Sequence, residues 1–275
     1  MPISKDVFFK RIEEFRKKIL EMNERRRDEH LSSVDYMLSS RIYMDTVLED
    51  INFFSEHIDS GRNILDFGAG SGFLSDMLSL EFENVHGLDI EEADKMDGYA
   101  DGGRKERTFY EAIEDKKEIW KWVSERNPNA SISFYDGEKI PFADDYFNAI
   151  CAYAVIEHVL EGSAEAILLE LRRVTKDGGK IFISKLPQTF SITEFMAGVL
   201  GMDRHDKKFS KKEITSLLSE TGWKIEKIFY SDFVFEFPPS VTNRLYYLLK
   251  VINWVVIRTP LRLLSHNLTV LATKK

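Results

Sequence analysis

Asn63-Ile64-Leu65-Asp66-Phe67-Gly68-Ala69-Gly70-Ser71-Gly72 is a short apolar run that ends in a carboxylate and three alternate glycines, and an apolar-periodic segment, Phe73 to Leu80, follows at once. This order predicts strand, tight loop, helix. The glycines let the loop take backbone angles closed to other residues and let a ligand lie against bare main chain. A dinucleotide loop would need G-x-G-x-x-G, with its third glycine where Phe73 stands. Asp66 sits just before the glycines, where its charge repels a phosphate and attracts an ammonium group. The loop therefore suits a nucleotide-sized ligand with an amino-acid tail and no phosphate, which argues against a nucleotide-dependent oxidoreductase.

Val85 to Asp89 reads as the second strand, and Asp89 lies at the distance past the loop at which α/β nucleotide folds place a carboxylate on ribose hydroxyls. A carboxylate accepts both hydroxyl protons at once. Ile90 then flanks the adenine as an apolar wall.

With the pattern D-x-G-x-G-x-G, the chain resembles the class I S-adenosylmethionine-dependent methyltransferases, in their type 11-like small-molecule branch. The resemblance covers roughly Arg62 to Lys185 and resumes near the C-terminus. It implies a Rossmann-like α/β fold with a seven-stranded, mostly parallel sheet and an antiparallel last strand at its edge. It implies S-adenosylmethionine as cofactor, held by Asp66, Gly68, Ala69, Gly70, Gly72, Asp89 and Ile90, with Tyr153 beside them. Asp136 and Gly137, at the end of a third strand over 131–136, would meet the adenine, Asp136 accepting from its amino group. The run Ile140 to Asn148 resembles the "lPf..d.sFD" approach to strand four, with Asn148 in place of the usual Asp.

Ala149 to Ala154 reads as the fourth strand and Val155 to Val159 as the start of a helix, outside the strand ends where the methyl group must lie. No N/D-P-P-Y/F/W signature occurs there, so no nucleic-acid partner is expected. The Glu157-His158 pair and the run His205 to Ile214 are similar to the O-methyltransferases of ubiquinone biosynthesis. A hydroxyl acceptor, on a small molecule or a lipid-linked one, must lose a proton, and His158 and His205 are the imidazoles placed to take it. Ala154 stands where some quinone enzymes carry the first Glu of E-x-x-E-H, which leaves a metal site under-liganded; no metal is expected. A non-catalytic cofactor-binding or membrane-adaptor protein is the competing reading.

Outside this core, residues 1–60 read as a helical extension and 61–275 as the catalytic domain, with insertions at about 91–130 and 233–266. Phe8, Ile12, Phe15, Ile19 and Met22 share one face of a helix, which either packs over the domain or forms a lid. Gly178-Gly179 reads as a helix end before strand five at Lys180–Ser184, and the sixth and seventh strands fall at Trp223–Tyr230 and Leu268–Ala272. The loop around Asp97 to Gly103 is either a binding loop or a passive insertion.

The single cysteine, Cys151, excludes an intrachain disulfide and suits a reducing compartment. A charged N-terminus carries no signal peptide pattern, so a cytoplasmic location is expected. The net charge of −8 hides an asymmetry: after Glu236 there is no acidic residue and the charge is +6, which leaves −14 for the rest. An acidic body disfavours nucleic acid. A helix over about 241–258 has one aliphatic and one basic-aromatic face, and either docks peripherally on a membrane or serves as a pocket cap or dimer contact.

Overall fold

The computed structural model describes residues 2–26, 34–35, 37–59, 62–90, 107–159, 163–199, 207–233 and 239–275. His205 and the loop from Asp97 to Gly103 lie outside them. Seven strands form one sheet: β1 Asn63–Phe67, β2 Asn84–Ile90, β3 Ala130–Tyr135, β4 Phe147–Tyr153, β5 Thr175–Pro187, β6 Trp223–Ser231 and β7 Asn267–Lys274, in the order β3-β2-β1-β4-β5-β7-β6. The first five pair in parallel, and β7 runs antiparallel to both its neighbours. This is the Rossmann-like, mostly parallel seven-stranded sheet that the resemblance implies.

Two sequence readings are corrected within the sheet. The seventh strand is not the edge; it is inserted between β5 and β6, and β6 is the edge. The continuous apolar run Leu268 to Ala272 is buried throughout, whereas β6 alternates Lys and Glu with half-buried residues, as an edge strand facing water requires. Gly178-Gly179 does not end a helix. It lies inside β5, where the register with β4 shifts and Gly178 takes φ +73°.

One face of the sheet carries helices α1 Lys5–Arg26, α2 Arg41–His57, α3 Phe73–Leu78 and α4 Arg107–Arg126. The other carries α5 Ala164–Val174 and α7 Lys211–Glu220, with α6 Ile192–Val199 between them in sequence. Ser210 and Glu213 form the reciprocal capping box at the start of α7. The apolar stripe of α1 is wholly buried, and Phe15 meets Phe73 edge-on at 5.4 Å. Phe73, the residue that breaks the dinucleotide pattern, thus anchors the N-terminal helix to the glycine loop's helix.

The C-terminal helical segment is two helices, α8 Pro239–Arg244 and α9 Tyr246–Ile257, broken at Leu245 and followed by a 3-10 turn at Pro260–Leu264. Val155 to Val159 is likewise no α-helix start: a 3-10 turn spans Ile156–His158 and α5 begins only at Ala164. Among the described residues no helix is long and apolar enough to cross a membrane.

Candidate functional site

The loop after β1 is fixed from two sides. Gly68 and Ala69 donate backbone N–H groups to the Leu88 carbonyl at 2.8 and 2.9 Å, tying the loop to β2. Gly68 has φ +78°, and a Cβ built on it would lie 2.2 Å from the Val155 side chain. Only glycine fits between β1 and the segment after β4.

Asp89 sits at the end of β2 and is nearly buried. Its Oδ2 accepts from Gly70 N at 2.9 Å and from Lys116 Nζ at 2.9 Å, and its Oδ1 accepts from Ile90 N at 2.8 Å. The carboxylate is therefore aimed at the middle of the glycine loop, and Lys116 of α4 shares it. Trp120, one turn further along α4, donates its Nε1–H to the Gly70 carbonyl at 3.0 Å and stacks near Phe134. A Cβ on Gly72 would reach Trp120 at 3.0 Å and Ile132 at 2.7 Å. The segment read as an insertion at 91–130 thus builds one wall of the cradle; Lys116 and Trp120 were missed because a helical stripe does not show which strand end it meets.

Asp66 lies beneath the loop, buried, with its Oδ2 accepting from Ser75 at 2.6 Å. Burial pushes its carboxyl up to about 7; the Ser75 hydrogen bond opposes this and the charge of Asp89 adds to it. A folded-state value above the ordinary one means that the contribution of Asp66 to stability is full below about pH 4 and is lost as pH rises through about 7. Asp66→Asn is therefore expected to gain on the order of 2 kcal/mol relative to wild type between pH 5 and pH 8. Thermal melts of the two proteins at both pH values check it, and parallel melting curves would refute the assignment.

Asp136 is exposed and accepts from Glu138 N and Lys139 N, both at 2.9 Å, closing a turn at Gly137, which has φ +79°. Ile90 is half-buried at the end of β2 beside this turn's strand. His158 is about one-third exposed, its Nε2 3.9 Å from Glu157 Oε1, and its backbone N–H donates to Val155. Among the described residues no group of three or more His, Cys, Asp or Glu side chains could hold a metal ion.

Beyond Tyr153 the structure assembles a cluster that sequence reading did not find. Lys185 is buried and donates to Asp232 Oδ2 at 2.7 Å and to Thr46 Oγ1 at 2.8 Å, with Asp50 Oδ2 at 3.5 Å. Ser184 Oγ donates to Asp50 Oδ2 at 2.7 Å, and Asn267 Nδ2 to Asp232 Oδ2 at 3.0 Å. The Lys185 ammonium lies 5.8 Å from the centre of the Tyr153 ring. Burial pulls Lys185 down, but Asp232 and Asp50 outweigh it and hold it above its ordinary value. Asp50 is pushed up by burial against the pull of Lys185, while for Asp232 the lysine outweighs burial and holds it low.

Backbone strain marks the same place. Of the four described non-glycine residues with positive φ, three gather here: Ala154, Lys185 and Asp232 take φ +54°, +59° and +54° where the pairing of β4, β5 and β6 ends or shifts, and the fourth, Asp145 at +56°, lies before β4. Each such non-glycine residue costs roughly 1 kcal/mol or more, and such residues gather at functional sites.

A family model described as a methyltransferase domain matches residues 40–228. The chain belongs to this methyltransferase family. It is of the class I, S-adenosylmethionine-dependent kind, with S-adenosylmethionine as its cofactor. A mitochondrial ubiquinone biosynthesis O-methyltransferase of Dictyostelium discoideum is 29% identical over 148 residues, 52% of this chain and 40% of that protein. A probable S-adenosylmethionine-dependent methyltransferase of Mycolicibacterium smegmatis is 23% identical over 62% of this chain and 55% of its own length. The chain thus spans about half the length of these curated relatives. Among solved structures, a SAM-dependent methyltransferase of Thermotoga maritima, a possible histamine N-methyltransferase, superposes with a TM-score of 0.56 at 14% identity, covering 94% of this chain and all of that one. The [4+2]-cyclase SpnF superposes with a TM-score of 0.52 at 13% identity, covering 84% and 81%. Both show the fold.

Proposed function

We propose that this chain transfers a methyl group from S-adenosylmethionine to a hydroxyl oxygen of a small-molecule or lipid-linked acceptor lodged over the ends of β4, β5 and β6. The observation that carries this reading is the strained, charged rim formed by Ala154, Lys185 and Asp232, one residue beyond Tyr153 and across Val155 from the glycine loop. Support for oxygen comes from the likeness to an O-methyltransferase over half the chain.

The donor supplies a methyl group already activated as a sulfonium. When bound, the donor would be held along the Gly68-Ala69-Gly70 main chain, with Asp89 for its ribose and Ile90, Asp136 and Gly137 for its adenine, while Asp66, buried beneath the loop on Ser75, would act on its ammonium only from behind that main chain. Transfer of that methyl group to the acceptor hydroxyl would leave a neutral thioether and release one proton, which the protein has to take up. The hydroxyl proton passes to His158, which is reachable from solvent and sits on the Val155 segment that abuts Gly68. The Lys185 cluster orients the acceptor and keeps a charged wall at the closed end. Alignment and exclusion of water then carry much of the rate.

A panel of phenolic, polyprenylated and sugar acceptors with methyl-labelled donor tests the reading. Ether products lost in His158→Ala, with the pH dependence displaced in His158→Gln, are expected; carbon-methylated products alone would overturn it. A second reading, cofactor binding without transfer, is favoured by Lys116, which already occupies Asp89. It expects tight S-adenosylhomocysteine binding and no product from any acceptor.

A further inference from the structure

Helix α9 is packed inside out. Its polar stripe faces the protein: Tyr246 donates its hydroxyl to Asp45, Lys250 Nζ lies 2.7 Å from Asp45 Oδ2, and Asn253 Oδ1 accepts from Phe233 N at 2.8 Å. Asp45 is itself buried on α2. With three polar anchors inward, most of the aliphatic side chains are turned to solvent: Leu248, Val251 and Val255 are exposed beside Tyr247 and Trp254, the last at 58%, while Leu249 is half-buried and Val256 buried. A pocket cap would show the reverse, since apolar side chains are what a cap has to bury.

This face does not stand alone. The 3-10 turn after α9 exposes Leu261 and Leu263. Gln188, just before α6, donates its Nε2–H to the Leu263 carbonyl at 2.7 Å and to the Ser265 carbonyl at 2.6 Å, so the base of α6 is clamped to that turn. From this base Phe190 and Phe195 project into solvent at 68% and 67% exposure, with Val199 at the far end of α6. Two helices and a turn thus present one apolar ridge with aromatic residues along it. A ridge of this kind on a water-soluble surface marks a docking site.

The charges around the ridge identify the partner. Arg244, Arg258 and Arg262 are exposed along it, and the Arg258 guanidinium lies 4.5 Å over the Trp254 ring. After Glu236 there is no carboxylate side chain to the C-terminus, although the rest of the chain is strongly acidic. On α6 the one carboxylate, Glu194, is turned inward toward His266 and Lys208. Aliphatic residues flanked by Trp, Tyr and Arg, with the nearby exposed carboxylate Glu49 on the α2 side of α9, 3.6 Å from Lys250, match the chemistry of an anionic bilayer surface, where the apolar face enters the acyl boundary and the cations meet headgroup phosphates. A second copy of this chain, docked ridge to ridge about a two-fold axis, would cover the apolar residues but would bring the arginines of both copies together without anions to meet them.

We infer that the ridge formed by α6, α9 and the Pro260–Leu264 turn is a peripheral docking surface for a membrane bearing anionic lipid. The inference stands whichever acceptor the enzyme uses. Where the acceptor is lipid-linked, α2 connects the two sites, since it carries both Asp45 under the ridge and Asp50 at the Lys185 cluster.

The test is co-sedimentation of the full chain with vesicles of phosphatidylcholine alone and of phosphatidylcholine with phosphatidylglycerol. Wild type is expected to bind the anionic vesicles, to release them as salt rises, and to show a blue shift and brominated-lipid quenching from exposed Trp254. Arg258→Glu with Arg262→Glu is expected to weaken binding on the order of a hundredfold. Phe195→Ser with Leu248→Ser should weaken it comparably while lowering salt sensitivity little. Lys250 is left intact in both variants because it holds α9 to Asp45, and unchanged circular dichroism and S-adenosylhomocysteine affinity show that the fold persists. Absence of binding to either vesicle, or equal binding by wild type and both variants, would overturn the inference. So would concentration-dependent self-association of wild type that the apolar variant abolishes, which would make the ridge an interface between copies.

Discussion

Lys185→Met is expected to destabilise the protein by about 3 kcal/mol, because it removes the cation between the buried Asp50 and the half-buried Asp232 carboxylates and leaves both uncompensated. In a chain of this size that corresponds to a melting temperature lower by roughly 10 °C. The sign with pH follows from the same charges. Without the lysine, Asp50 and Asp232 both bind protons more readily in the folded state than in the unfolded one, so the deficit of the variant is smallest at low pH and grows as pH rises. Lys185→Met with Asp232→Asn should recover part of the loss, since one of the stranded charges is gone. Thermal melts from pH 5 to pH 8 check all three statements. A variant as stable as wild type at pH 8 would mean that the cluster contributes nothing as an ionic unit. Methyl transfer by the double variant, once it is folded, then asks whether the charged wall serves the acceptor: an altered KM with little change in cofactor affinity is the expected outcome.

The second large effect is at the cofactor. Asp89→Ala is expected to weaken S-adenosylhomocysteine binding at least about a hundredfold in calorimetric titration, since two hydrogen bonds to a charged acceptor are worth roughly 1.5–3 kcal/mol each. Lys116→Met provides the contrast. Lys116 Nζ is 2.9 Å from Asp89 Oδ2, so a ribose hydroxyl has to compete with it, and its removal is expected to preserve or strengthen binding. Wild-type affinity in Asp89→Ala would remove Asp89 from the ribose role, and binding of NADH in place of S-adenosylhomocysteine would overturn the reading of the loop.

The residues that these experiments address differ in how far they could be read from sequence. The glycine loop, Asp66 and Asp89 are legible because the loop's geometry is a local matter: three alternate glycines, a preceding carboxylate and a following helix lie within one strand–loop–helix unit. The helix faces are legible for the same reason, as the stripe of α1 shows. The sheet order was legible only in part. The stretch Leu268 to Ala272 reads as a strand, but its burial between β5 and β6 depends on a hairpin-like return of the chain that no local pattern encodes.

The Lys185 cluster was not legible. Asp50 and Ser184 are 134 residues apart, and as a sequence Ser184-Lys185 is an ordinary strand end. His158 was readable as a candidate through its place after β4, whereas the orientation of Lys116 depends on where a long helix lands against the sheet. By itself, then, the sequence determined the parallel α/β core, the glycine loop between β1 and its helix, and the existence of an amphipathic helix near the C-terminus. The tertiary structure alone decided which face of that helix points outward and which charges meet at the strand ends. Local periodicity separates apolar from polar faces, but the face that turns inward is chosen by its partner, and here the partner is Asp45, a buried carboxylate 205 residues before Lys250 whose desolvation demands cationic and hydroxyl donors.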